Sequence, residues 1–178
     1  MPEFSPHYCH GKLATAFVLS VPGADEQHCG KPVSGDTGAN LDAALVLLNT
    51  KNAKLFPSAL RYDYRITNAF AEPRAKSLGH ASSEAKTSEI RNPQNIARVI
   101  TELAGCNVVV LCGRRAQLLY GQVSGSAKVV IKVAHPGNRG LNRAFPGSTP
   151  ADSPNGAKQH RIKQWANAVL KQYRASAA

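Results

Sequence analysis

The stretch "ATAFVLSVPGADEQHCGKPVSGDTGANLDAALVLL", Ala14 to Leu48, changes structural period along its length. Its start, Ala14 to Val21, is an apolar run rich in β-branched and small residues, the pattern of a strand buried on both faces. Its end places apolar side chains at 41, 44, 45 and 48, the spacing of one helix face. Between them lie Gly23, Gly30, Gly35 and Gly38, two prolines and several acids. A strand, a glycine-rich loop and a helix in that order open an α/β unit whose loop sits at the carboxyl end of the strand.

The rest of the chain repeats the alternation. Apolar runs at Tyr64 to Thr67, Val108 to Cys112 and Val129 to Ala134 are each bounded by turn residues. Helical patterns follow at Pro93 to Leu103, capped by Asn92 with Pro93 in the first helical position, then at Arg115 to Tyr120 and Lys158 to Tyr173. The expected fold is a single domain over residues 1–178, a three-layer α/β/α arrangement around a central four-stranded, mainly parallel sheet. In the last helix Ile162, Trp165, Val169, Leu170 and Tyr173 share one stripe, so Trp165 is expected in the core. The stretches 71–88 and 145–158 show neither period and are read as loops.

Lys and Arg total 22 against 11 acids, for a net charge of +11. An imbalance of that size in a folded domain points to a polyanion, with nucleic acid ahead of an anionic membrane surface and of a merely solvated basic face. The N-terminus lacks a leader pattern and no apolar run approaches the roughly 20 residues that span a bilayer, so a cytoplasmic protein without membrane contact is expected; no obligate protein partner is implied. The cysteines Cys9, Cys29, Cys106 and Cys112 form no CxxC pair. Cys106 and Cys112 read as core residues. His7, Cys9 and His10 supply three metal ligands at most from an exposed terminus, and no metal is expected.

In an open parallel sheet ligands bind beyond the carboxyl ends of the strands. Here those ends read SVPGADEQ, then Thr67 and Asn68, then CGRR, then AHPGNRGLNR. His135 follows its strand directly and precedes Pro136, which favours an extended or turn conformation there. Asn68 offers an amide donor and a carbonyl acceptor suited to a base edge, and equally to a turn.

In this order the segments resemble the uracil-DNA glycosylase superfamily. "VLSVPGADEQHCGKPVSGDTGANLD" is similar to the V-G-E-A-P-G and G-x-P-F-x-G-x-x-G-x-x-L-D patterns of its bacterial iron-sulfur members. "YRITNAF", "VVVLCGRRAQLLY" and "VAHPGNRGLNR" resemble the I-T-N strand, the V-x-L-G-x-x-A-x-x-L-L strand and helix, and the H-P-S leucine loop. The likeness runs from about Phe17 to Arg143. It implies a glycosylase-like fold and a monofunctional enzyme that flips a nucleotide from the duplex and hydrolyses its N-glycosidic bond, leaving an abasic site.

Carried over residue by residue, the resemblance makes His135 the donor to the departing base and Asn68 the reader of its edge. Ser20, Gly23 and Val33 join the base pocket. Leu141 becomes the wedge in the gap, with Arg139, Arg143 and Arg114 on the DNA backbone. The family's acid positions hold Ser20 and Val21 here. "SGDTGANLD" resembles the T-G-D-x-S-G of another class, which makes Asp36 the expected catalytic acid, with Asp25 and Glu26 in reserve; Asp36 also suits a helix cap. The N-terminal CxxC of the iron-sulfur members is absent, so no cluster and no cofactor is expected. No Lys stands at a motif position for a lyase step, although Lys31 lies close by.

Val33 stands where the family places the aromatic that packs on uracil. Its smaller side chain gives up stacking area and leaves room, which suits a pyrimidine with a bulky 5-substituent, such as the hydroxymethylated or glycosylated cytosine of viral DNA. Plain uracil excision in base repair is the narrower alternative. A member that binds DNA without cutting it would account for Ser20 and Val21. A small-molecule enzyme on the same sheet has neither a phosphate-loop signature nor an explanation for the charge.

Overall fold

A computed structural model of the chain describes residues 4–146 and 154–177. The elements run β1 (Phe4–Ser5), β2 (Tyr8–Cys9), β3 (Thr15–Leu19), α1 (Ala24–Cys29), α2 (Asp36–Lys51), β4 (Arg65–Asn68), α3 (Thr87–Ile90), α4 (Pro93–Glu102), β5 (Val108–Cys112), α5 (Arg114–Gln117), α6 (Tyr120–Val123), β6 (Val129–Val133), α7 (Asn138–Ala144) and α8 (Pro154–Ala177). The sheet order is β1-β2-β4-β3-β5-β6. Its four longer strands, β4, β3, β5 and β6, are mutually parallel and coincide with the four apolar runs of the sequence.

The expected four-stranded sheet is extended by two strands at its β4 edge. The N-terminal segment turns back on itself as a two-stranded ribbon, Phe4 opposite Cys9, and pairs antiparallel with β4 through Cys9 and Ile66. Strands of two residues are too short to show a period in the sequence. Cys9 is consequently buried in the core, which corrects the reading of an exposed terminus. His7 spends its Nε2 on Glu102, 3.1 Å away.

Alternation along β3 and β5 sorts the apolar side chains into two cores, one on each face of the sheet. Phe17, Leu19, Val110 and Cys112 pack with α2 and α8 on one side. Ala16, Val18, Val109 and Leu111 face Ile90, Val99, Leu119 and Val123 on the other. The result is three layers, helix on sheet on helix. α4 begins as expected: Asn92 Oδ1 accepts from the Gln94 N–H at 2.9 Å, with Pro93 in the first turn. Trp165 is 1% exposed. The 145–158 stretch is not all loop, because α8 starts at Pro154; residues 147–153 of it lie outside the described residues. Among the described residues no helix is long and apolar enough to cross a membrane.

One charged group is buried in the second core. Glu102 accepts from Arg98 and Thr67, each at 2.5 Å, and from His7. Burial alone would raise its pKa, but the bonds from His7 and Thr67 and the charge of Arg98 outweigh that and hold it below the ordinary carboxylate value. The stability it contributes is present above that ordinary value and is lost as pH falls through the lowered one. Replacing Glu102 by Ala strands the Arg98 charge in a largely buried site, and denaturant unfolding should register a loss of about 3 kcal/mol.

Candidate functional site

A cleft of about 230 Å³ opens beyond the carboxyl ends of β3, β4 and β6. Its walls come from separated parts of the chain: Leu19 to Gly23 at and after the end of β3, Asn68 at the end of β4, His135 after β6, Glu26 of α1, Val33 and Thr37 around the start of α2, and Arg74, Ser83 and Glu84 from the 71–88 loop. Its volume falls below the roughly 300 Å³ at which drug-sized sites begin, a scale that accommodates a single ring with its substituents.

His135 is held by its backbone on every side. The carbonyl of Val133 accepts from Gln117 Nε2 at 2.8 Å, that of Ala134 from Trp165 Nε1 at 2.7 Å, and that of Pro136 from Asn40 Nδ2 at 2.8 Å. Two glycines let neighbouring chain come close. Gly113 has φ +89°, and a Cβ there would stand 3.0 Å from the Cβ of His135; at Gly140 a Cβ would lie 2.2 Å from the His135 carbonyl oxygen. The Gly137 N–H donates to Nδ1 at 3.0 Å. That nitrogen is therefore an acceptor, and the proton of the neutral ring sits on Nε2. Burial pushes the imidazole pKa below its ordinary value, opposed by the carboxylates of Glu84 and Glu26. The site holds a neutral histidine with an Nε2–H to give.

Asn68 is 4% exposed. Its carbonyl accepts from Arg98 at 2.9 Å, and Asn95 donates to the next carbonyl, Ala69, at 2.8 Å. Its side-chain amide has no hydrogen-bond partner among the described residues and lines the cleft. An amide spent on a turn or cap would be bonded, so this one is available to a ligand.

Val33 is buried on the cleft wall at φ 49°, a region that β-branched residues rarely occupy and that costs about 1–3 kcal/mol. Such strain at a site wall is typical of positions fixed for binding. Ser20 donates from Oγ to Glu84 Oε2 at 2.9 Å. Gly23 caps α1, a helix not expected from the sequence: Glu26, three residues on, accepts from the Gly23 N–H at 2.8 Å and from the Ser34 N–H at 2.9 Å.

Three expectations need correction. Asp36 does not line the cleft: its carboxylate is exposed at the first turn of α2 and accepts from Asn138 Nδ2 at 3.0 Å. Asp25 is likewise exposed and packs against Gly35 outside the cleft. Leu141 is no wedge here. It is 2% exposed in α7 and fills the space among Asn40, Ala44, Pro136, Ile162 and Trp165. The segment that resembles the leucine loop is helical from Asn138 to Ala144, so Leu141 turns inward while Arg139 and Arg143, one helical turn apart, stay exposed with Arg114. Lys31 lies 4.8 Å over the ring of Phe4, outside the cleft lining.

Sequence reasoning missed Glu84 and Arg74, which sit in a stretch without period. It also passed over Asn40, Gln117 and the indole N–H of Trp165, whose partners are backbone carbonyls far along the chain. The asparagine of "GANLD" was the one available hint, since it falls on the buried face of α2. No protein-family model matches the chain, and no curated protein matches it.

Two outcomes follow from this geometry. A histidine with lowered pKa contributes stability that is present above its unfolded value of about 6.5 and is lost as pH falls through the folded value. Melting temperatures measured between neutral and mildly acidic pH should therefore decline on acidification, and His135→Asn should flatten that decline. Leu141→Ala should destabilise the fold by about 2–5 kcal/mol in denaturant titration, as a core truncation does; a surface wedge would leave stability unchanged.

Proposed function

We propose that the protein is a monofunctional DNA glycosylase that takes a flipped pyrimidine into this cleft and hydrolyses its N-glycosidic bond. The observation that carries the reading is the pairing of two unspent groups on one wall system, the Asn68 amide and the His135 Nε2–H. An amide presents a donor and an acceptor side by side, which match the edge of a pyrimidine. A neutral imidazole N–H stabilises negative charge growing on the base oxygen as the base departs. The net charge of +11 suits a polyanionic substrate, with Arg139, Arg143 and Arg114 as exposed phosphate contacts.

The substrate is an altered pyrimidine larger than uracil. Val33 replaces an aromatic ring with a smaller side chain on the cleft wall. Arg74 and Ser83 add polar groups beyond those that uracil's two carbonyls and one N–H engage, and the buried Arg74 Nε has no partner among the described residues. A hydroxylated 5-substituent would meet them within the cleft, and the sugar of a glycosylated one would extend past its mouth.

The test is a set of oligonucleotides carrying uracil, hypoxanthine, hydroxymethylcytosine and its glucosylated form, read by alkali cleavage at the abasic product. Excision of a 5-substituted cytosine ahead of uracil is expected. His135→Ala should lower the single-turnover rate by about 10²–10³-fold, and Asn68→Ala should lower it and relax the choice of base. Preference for uracil would narrow the reading to uracil excision. Binding to DNA without excision of any of the four bases would overturn the enzymatic reading.

A further inference from the structure

We propose that Glu84, carried by the 71–88 loop, is the catalytic carboxylate of this site, taking the place of an acid at the end of β3. The inference rests on the glycosylase reading above. The end of β3 holds Ser20 and Val21, which supply no charge. Ser20 Oγ instead donates to Glu84 Oε2 at 2.9 Å, so a carboxylate from elsewhere in the chain is bonded to the strand end that lacks one. Arg115 Nε lies 3.3 Å from the same oxygen as a charge partner. Oε1 has no partner among the described residues, and Glu84 lines the cleft with His135 and Asn68.

The other acids near the cleft are unsuited. Glu26 commits Oε2 to the Gly23 N–H and Oε1 to the Ser34 N–H. Asp25 and Asp36 lie outside the lining. Glu84 alone among these four combines a place in the cleft wall with an uncommitted carboxylate oxygen.

Oε1 holds the attacking water. As the bond between C1′ and the base nitrogen breaks, its electron pair leaves with the base, whose oxygen is met by the His135 Nε2–H. The water oxygen bonds to C1′ and its proton passes to Glu84. Glu84 returns that proton to solvent and the base anion takes one up, so the balance is one water consumed, one free base and one abasic sugar formed.

Glu84→Gln keeps the shape and the bond from Ser20 while removing the base. With whichever oligonucleotide the wild type excises, its single-turnover rate should fall by about 10²–10⁴-fold, the usual weight of a general base. Affinity for a duplex carrying a tetrahydrofuran abasic analogue, measured alongside, should stay within about threefold, and the melting temperature should hold. A rate within about tenfold of wild type, or a loss of affinity as large as the loss of rate, overturns the assignment while leaving the glycosylase reading intact. Asp36→Asn losing as much as Glu84→Gln returns the acid to the start of α2 and also overturns it. A wild type that excises no base overturns both.

Discussion

Three hydrogen bonds to consecutive stretches of one backbone govern the geometry of the site. Gln117, Trp165 and Asn40 donate to the carbonyls of Val133, Ala134 and Pro136, and they come from α5, α8 and α2 respectively. Three helices thus grip the strand end that carries His135. The Val133 carbonyl also accepts from the Gly113 N–H at 2.8 Å, and a buried carbonyl left without a donor costs about 1–3 kcal/mol, so these bonds together favour one path for the loop among those a glycine-rich segment could take. The path then decides the chemistry. It brings the Gly137 N–H onto Nδ1, which sets the tautomer and leaves the Nε2 proton for a ligand.

Asn68 is positioned by the same logic on the opposite edge. Arg98 and Asn95, both on α4, hold the carbonyls of Asn68 and Ala69. Arg98 is in turn held by Glu102, which also accepts from Thr67 in β4 and His7 beside β2. The ion pair reaches from the added N-terminal ribbon to the residue facing the cleft. Because each member bonds backbone or another member, the Asn68 side chain is left with nothing to satisfy inside the protein. Rigid backbone and unspent side chain are what a preorganised binding group requires.

The parts legible in the sequence were those with a period or a local cap. Four apolar runs marked the parallel strands, and the Asn92–Pro93 pair marked the start of α4. The strand-end rule then brought His135 and Asn68 to one cleft, since both stand at the last residue of a run or just beyond it. What was not legible had no local signature. The strands of the N-terminal ribbon are two residues each, and the clamps on the His135 loop join residues between 16 and 96 positions apart. Asp36 misled because a glycine-flanked acid before a helix fits a site and a helix start equally well. Leu141 misled because it stands alone between polar residues and has no apolar neighbour in sequence, yet the turn of α7 carries it into the core.

Scaffold and loop contribute side chains to the cleft wall in different ways. A strand-borne side chain is aimed by the pleat, and no adjustment elsewhere can re-aim it. A loop-borne one is free in direction and needs only to be tied down. Glu84 accepts at one oxygen from Ser20 at the end of β3, with Arg115 of α5 3.3 Å from the same oxygen, so the group is tied to the sheet by a bond that the loop itself does not supply. The bond from Ser20 Oγ ties this part of the loop to the end of β3, which makes Glu84 part of the cleft wall although no periodic element carries it.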